Sequence, residues 1–72
     1  MANNAINRIK IVLIEKNKSS KWLAEKLGMN ESTISRWCTN NTQPLVDTLS
    51  EIAKLLKVDI RDLLSSTKKK YK

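Results

Sequence analysis

The chain carries a single glycine in 72 residues, Gly28, and it stands between two segments that each read as a short helix. From 19 to 37 the sequence is SSKWLAEKLGMNESTISRW. Ser19 is a suitable N-cap, and behind it Trp22, Leu23, Ala24 and Leu27 recur at helical spacing. A glycine directly after Leu27 supplies the left-handed backbone that ends a helix without a Cβ clash, so the chain can turn sharply there. Asn30 is expected to cap a second helix. Along it Ile34, Trp37 and Cys38 share one face, whereas Glu31, Ser32, Ser35 and Arg36 share the opposite one. Ala24, one turn before the glycine, is small enough to let the second helix cross the first closely. One face is fit for burial, and the other is purely polar.

The remaining periodicities place helices around this pair. A first helix is predicted from about Asn4 to Lys16, with Ile6 near its start and Ile9, Val12 and Leu13 meeting the core at i, i+3, i+4. Ile11 and Ile14 are left on a flank, to be covered either by the fifth helix or by a second copy of the chain. Pro44 sets up a fourth helix with a stripe of Leu45, Leu49, Ile52, Ala53 and Leu56, ended by Lys57. Asp59, with Asp62 three residues on, caps a fifth helix bearing Ile60, Leu63 and Leu64. The expected fold is all-α, a compact five-helix domain over 1–65 with its central motif at about 19–38. Residues 66–72 form a basic tail expected to lack fixed structure.

This pattern resembles the helix-turn-helix family of phage repressors and bacterial regulators of the Cro and lambda-repressor type, the XRE family. LAEKLG followed by a capped TISRW carries the resemblance, and the ordered set Ala24, Gly28, Ile34, Pro44, Leu49, Ala53 and Leu63 extends it over nearly the whole chain. The resemblance implies a cytoplasmic regulator of transcription, most simply a repressor, that binds double-stranded DNA as a two-fold dimer. Where relatives dimerise the fifth helix often supplies the contact, so Ile11, Ile14 and Leu64 form the candidate patch. A second reading within the same fold is the antitoxin of a toxin–antitoxin pair, with a toxin as protein partner. Two departures from the family stand out. Lys18 occupies a place usually held by an apolar residue, and Ser20 one commonly held by a glutamine that touches the DNA backbone.

Composition narrows the alternatives. A formal net charge of +7 favours a polyanionic partner, and the tail lysines Lys68, Lys69, Lys70 and Lys72 supply four of those charges, leaving +3 for the rest. Nucleic acid fits better than a membrane, because no helix is both strongly basic on one face and bulky-aromatic on the other. One cysteine, Cys38, and no histidine leave no internal disulfide, no metal-ligand spacing and no general base beside a nucleophile. No catalytic residue, metal or cofactor is expected.

The second helix of the motif is the one suited to the major groove, whose width accepts an α-helix. Glu31, Ser32, Ser35 and Arg36 are its candidate base-reading residues. Arg36 matches the two acceptors of guanine, or else clamps a phosphate. Glu31 either accepts from cytosine N4 or simply favours the helix dipole from the first turn. Ser20, Lys21, Thr33, Asn41, Thr42 and Gln43 are the candidate DNA-backbone residues, the last three from a polar loop whose N–H groups and amides are expected to be free. Asn40, where relatives usually have glycine, is the next most tolerant residue for a left-handed backbone.

Overall fold

The computed structural model describes residues 5–66. Four α-helices are followed by one 3-10 turn: α1 (Ile9–Glu15), α2 (Ser20–Leu27), α3 (Glu31–Cys38), α4 (Val46–Leu56) and the turn Ile60–Leu63. Ile9, Leu23, Ile34, Ile52 and Leu63, one from each element, are fully buried and meet in a single core. Each fully buried aliphatic side chain contributes roughly 1.5–3 kcal/mol relative to exposure, so this cluster draws all five elements together. Trp37 fills the interior from α3, while Trp22, Leu27 and Cys38 pack partly buried against it.

The central motif forms as its residues dictate. Ser19 is extended and its Oγ accepts from the Trp22 N–H at 3.0 Å, satisfying one of the free donors at the start of α2. Gly28 ends α2 with φ 68°, and the Met29 N–H returns to the Ala24 carbonyl at 2.9 Å. Asn30 holds the N-cap position of α3 with extended backbone, but its side chain makes no capping hydrogen bond, so backbone geometry alone starts that helix.

Three features differ from the sequence expectations. The fifth helix is only a four-residue 3-10 turn, so the five-helix count becomes four helices and a turn. Asp59 does cap it: its Oδ1 accepts from the Arg61 N–H at 2.8 Å, and Asp62 Oδ2 accepts from the Asp59 N–H at 3.2 Å. After the turn the chain runs extended at Leu64, because Leu64 lies opposite Asn7 in an isolated antiparallel bridge. The same bridge shortens α1, which begins at Ile9 and not near Asn4 among the residues described. Asn7 is withheld from the helix by its partners. Its N–H and that of Ile6 donate to Asn40 Oδ1 at 2.8 and 2.9 Å, and its own Oδ1 accepts from the Ile9 N–H at 3.0 Å. Leu45, assigned to the α4 stripe, is instead the N-cap residue and is 77% exposed. The buried stripe of α4 is Leu49, Ile52, Ala53 and Leu56.

On α1 the outer flank is not covered by the turn: Ile11 is 48% and Ile14 64% exposed. Leu63 alone of the last apolar group is fully buried, with Ile60 partly so and Leu64 exposed. The expected lack of structure in the tail falls on 67–72, which lie outside the described residues, as do 1–4.

Candidate nucleic-acid interface

The site is built on α3 and is held from three sides. α2 packs along it, α1 touches it, and the polar loop folds back on its C-terminal end. With Ile34 and Trp37 inward, the helical repeat carries Glu31, Ser32, Ser35 and Arg36 outward, and all four are exposed. Ser32 lies near the middle of this face, with Ser35 and Arg36 on either side of it. The Arg36 guanidinium makes no hydrogen bond or ion pair with any described residue, so its fork of donors is free for an external acceptor. Glu31 stands in the first turn of α3, where a negative charge complements the N-terminal end of the helix dipole. Thr33 is half-buried at the edge of the face.

The α2 side of the site differs in the reach of its two candidates. Lys21 is exposed, whereas Ser20 is half-buried with its Oγ 3.8 Å from Cys38 Sγ. Ser20 therefore sits against the end of α3, joining the two helices of the motif. Lys18 lies with its ammonium 4.9 Å from the centroid of the Trp22 ring, a cation–π arrangement. The polar residue at this unusual place thus finds an aromatic partner in place of a core position. Together with Ile14, Asn17 and Ser19 this pair lines a shallow open groove between α1 and α2.

The loop after α3 is more tightly bound than its composition suggests. The Arg36 carbonyl accepts from the Asn41 and Thr42 N–H groups at 2.9 and 3.3 Å and from Thr39 Oγ1 at 3.2 Å. The N–H groups expected to be free at Asn41 and Thr42 are thus engaged by the helix end, although both residues are exposed. Gln43 is likewise engaged. Its Oε1 accepts from Asn7 Nδ2 at 2.8 Å, and its Nε2 donates to Asn40 Oδ1 at 3.1 Å.

Of the two residues that organise the site, Asn7 escaped the sequence reading and Asn40 was read for its backbone alone. Asn7, only 4% exposed, donates from Nδ2 to the Trp37 carbonyl at 2.9 Å, a second bond to an acceptor that also takes the Asn40 N–H at 3.0 Å, and so ties the segment before α1 to the end of α3. Asn40 has φ 62°, as its left-handed assignment required, but its amide also grips residue 7 from both sides of the peptide: Oδ1 accepts from the Asn7 N–H and Nδ2 donates to the Asn7 carbonyl at 3.1 Å. A polar residue between Ile6 and Ile9 was the one available signal.

Two helices joined at a left-handed glycine, with the second presenting a free polar face, define a helix-turn-helix protein. A family model described as helix-turn-helix matches residues 9–63, and the chain belongs to this family, in its XRE-type form. A crystal structure described as that of a "putative DNA-binding protein" from Bacteroides fragilis is similar to it, with 53% sequence identity, 83% of this chain and 97% of that chain covered, and a TM-score of 0.83. No curated protein sequence matches significantly. Among the described residues no helix is long and apolar enough to cross a membrane, and no group of side chains is placed to hold a metal ion.

Proposed function

We propose that the chain binds duplex DNA sequence-specifically and regulates transcription, most simply as a repressor that occludes a promoter. The observation that carries this reading is the outward face of α3, where four polar side chains, Glu31, Ser32, Ser35 and Arg36, stand exposed on a helix otherwise fixed in the core. In this reading α3 enters the major groove, Arg36 takes a guanine, Ser32 and Ser35 allow close approach, and Glu31 meets a cytosine or stays with its own helix end. Ser20, Lys21 and Thr33 face phosphates beside it. Asn41, Thr42 and Gln43 reach the backbone through what their internal bonds leave over, chiefly the side chains of Asn41 and Thr42. Two copies, meeting through apolar surface that includes Ile11, Ile14 or Leu64, read half-sites about 34 Å apart. The excess of positive charge and the described similarity of the Bacteroides fragilis protein support the same reading.

Selection of random duplexes by the purified chain, followed by binding of the winners at several salt concentrations, tests it. Enrichment of an inverted repeat is the expected result. Binding without any enrichment, lost uniformly as salt rises, overturns sequence reading and leaves a non-specific binder. Recovery of an enriched site only when a co-purifying protein is present would favour the antitoxin reading.

A further inference from the structure

We propose that Gln43 is a positioning residue and not a DNA contact. Its amide closes a donor-to-acceptor cycle with Asn7 and Asn40, and the cycle holds the loop after α3 in the register from which that helix reads bases. This rests on the DNA-binding reading and deepens it, by taking Gln43 out of the residues that meet phosphate and giving it a part in the choice of site.

The orientation of all three amides is forced. The Asn40 side chain faces two backbone donors, the Ile6 and Asn7 N–H groups at 2.9 and 2.8 Å, so the atom between them is its oxygen. Gln43 approaches the same atom at 3.1 Å, and only its Nε2 can donate there. Its Oε1 is thereby turned the other way, where Asn7 Nδ2 donates to it at 2.8 Å. Asn7 uses its second Nδ2 hydrogen on the Trp37 carbonyl at 2.9 Å and keeps Oδ1 for the Ile9 N–H at 3.0 Å. Asn40 Nδ2 donates to the Asn7 carbonyl at 3.1 Å and closes the cycle. Reversing any one amide sets like atoms against each other at more than one contact.

What the cycle holds is the phosphate-side loop. Asn41 and Thr42 stand exposed between Asn40 and Gln43, and their side chains bond to no described residue. Their N–H groups are fixed to the Arg36 carbonyl, the amides of Asn40 and Gln43 fix the chain on either side of them, and the buried Pro44 follows. Gln43 has little left for an external partner, because Oε1 is engaged and Nε2 faces both Asn40 Oδ1 and, at 3.5 Å, the Asn40 carbonyl. Phosphate contacts set the register of a reading helix and base contacts read within that register. A loosened cycle is therefore felt as weaker discrimination between sequences.

Gln43→Met keeps the length of the side chain and removes both of its polar atoms. The position is exposed, and circular dichroism verifies that the variant is folded. The ratio of affinities for selected and random duplexes is expected to fall roughly 3- to 10-fold, the equivalent of about one net hydrogen bond. Asn40→Gly, which keeps the left-handed backbone, is expected to lower the ratio as well. The double variant is expected to lose clearly less than the product of the two single losses, because Gln43 acts through Asn40. In NMR spectra recorded without DNA, the side-chain amide resonances of Asn7 and Asn40 are expected to move in Gln43→Met while that of Asn41 stays in place. Equal losses on both duplexes with the ratio kept would make Gln43 a phosphate contact and overturn the proposal. So would single losses that multiply in the double variant, or Asn7 and Asn40 resonances that do not move. A wild type without preference between the duplexes fails the DNA-binding reading and takes the positioning role with it; the amide resonances, which need no DNA, distinguish that failure from failure of the cycle.

Discussion

Asn40 does two jobs, and substitution separates them. Its φ of 62° is a conformation that costs an alanine about 1–2 kcal/mol and a glycine almost nothing. Its amide makes three hydrogen bonds to the backbone of Ile6 and Asn7. Asn40→Gly keeps the backbone and loses the bonds, and is expected to cost about 1–3 kcal/mol; Asn40→Ala loses both and costs about 1 kcal/mol more. Urea unfolding checks the order, and an Asn40→Gly variant as stable as wild type would show that the clasp contributes nothing. The backbone half of this role was legible in the sequence, because tolerance of the left-handed region is a property of one residue. The side-chain half was not, since Asn7 lies 33 residues away and no local pattern ties the two together. Arg36 is the opposite case, with its readable feature entirely outward. Arg36→Ala removes no internal bond, so the melting temperature is expected to hold while preference at one base position falls by about 1–3 kcal/mol. Equal losses on every sequence, measured by competition with single-base variants of the selected site, would move Arg36 from base reading to phosphate contact.

Elements were legible where a local rule decides them. Ser19, the helical stripe behind it and Gly28 are such a case, and α2 begins and ends where they place it. A Cβ at Gly28 would meet nothing within 4 Å. Gly28→Ala therefore carries backbone strain without a clash and is expected to cost about 1–2 kcal/mol; a larger loss in thermal unfolding would mean that the turn between α2 and α3 needs its full conformational freedom. The two ends of the chain were misjudged together, for one reason. The apolar periodicities of 4–16 and 58–64 are helical, but the two segments pair through Arg8 N–H to the Leu63 carbonyl and Ser65 N–H to the Ile6 carbonyl, both 2.8 Å, and extended pairing displaces a helical turn from each. The surviving 3-10 turn depends on its cap. The Arg61 N–H and side chain beside Asp59 hold its carboxyl below the ordinary 3.8, so its contribution is present above that value and is lost as pH falls through the lower, folded one. Asp59→Asn is expected to be less stable than wild type at neutral pH, with the gap closing below about pH 4. Urea midpoints of both proteins from neutral pH down to roughly pH 2.5 check the sign; a gap that widens toward acid would refute it.

Over the whole molecule the charge is unevenly divided. Four of the lysines behind the formal +7 lie in 68–72, outside the described residues, while Lys18, Lys21 and Arg36 stand exposed in or beside the motif. Recognition by this chain is accordingly expected to split into two physically separable parts. Base reading depends on geometry, because α3 is fixed by the core, by the Asn7 bond to Trp37 and by the loop closed on Arg36. Attraction to the phosphates depends on charge alone, and each phosphate neutralised adds about 0.9 to the slope of log affinity against log salt. Truncation after Ser66 removes four cations and no part of the core cluster. It should flatten that slope by an amount of up to about 3–4, lower affinity for selected and random duplexes by the same factor, and leave their ratio intact. Lys21→Ala should do the same on a smaller scale, by about one contact. Titration of both duplexes at four or five salt concentrations reads slope and ratio together. If truncation instead changes the ratio, the tail takes part in choosing the site, and the division of labour between a rigid reading helix and a charged appendage does not hold.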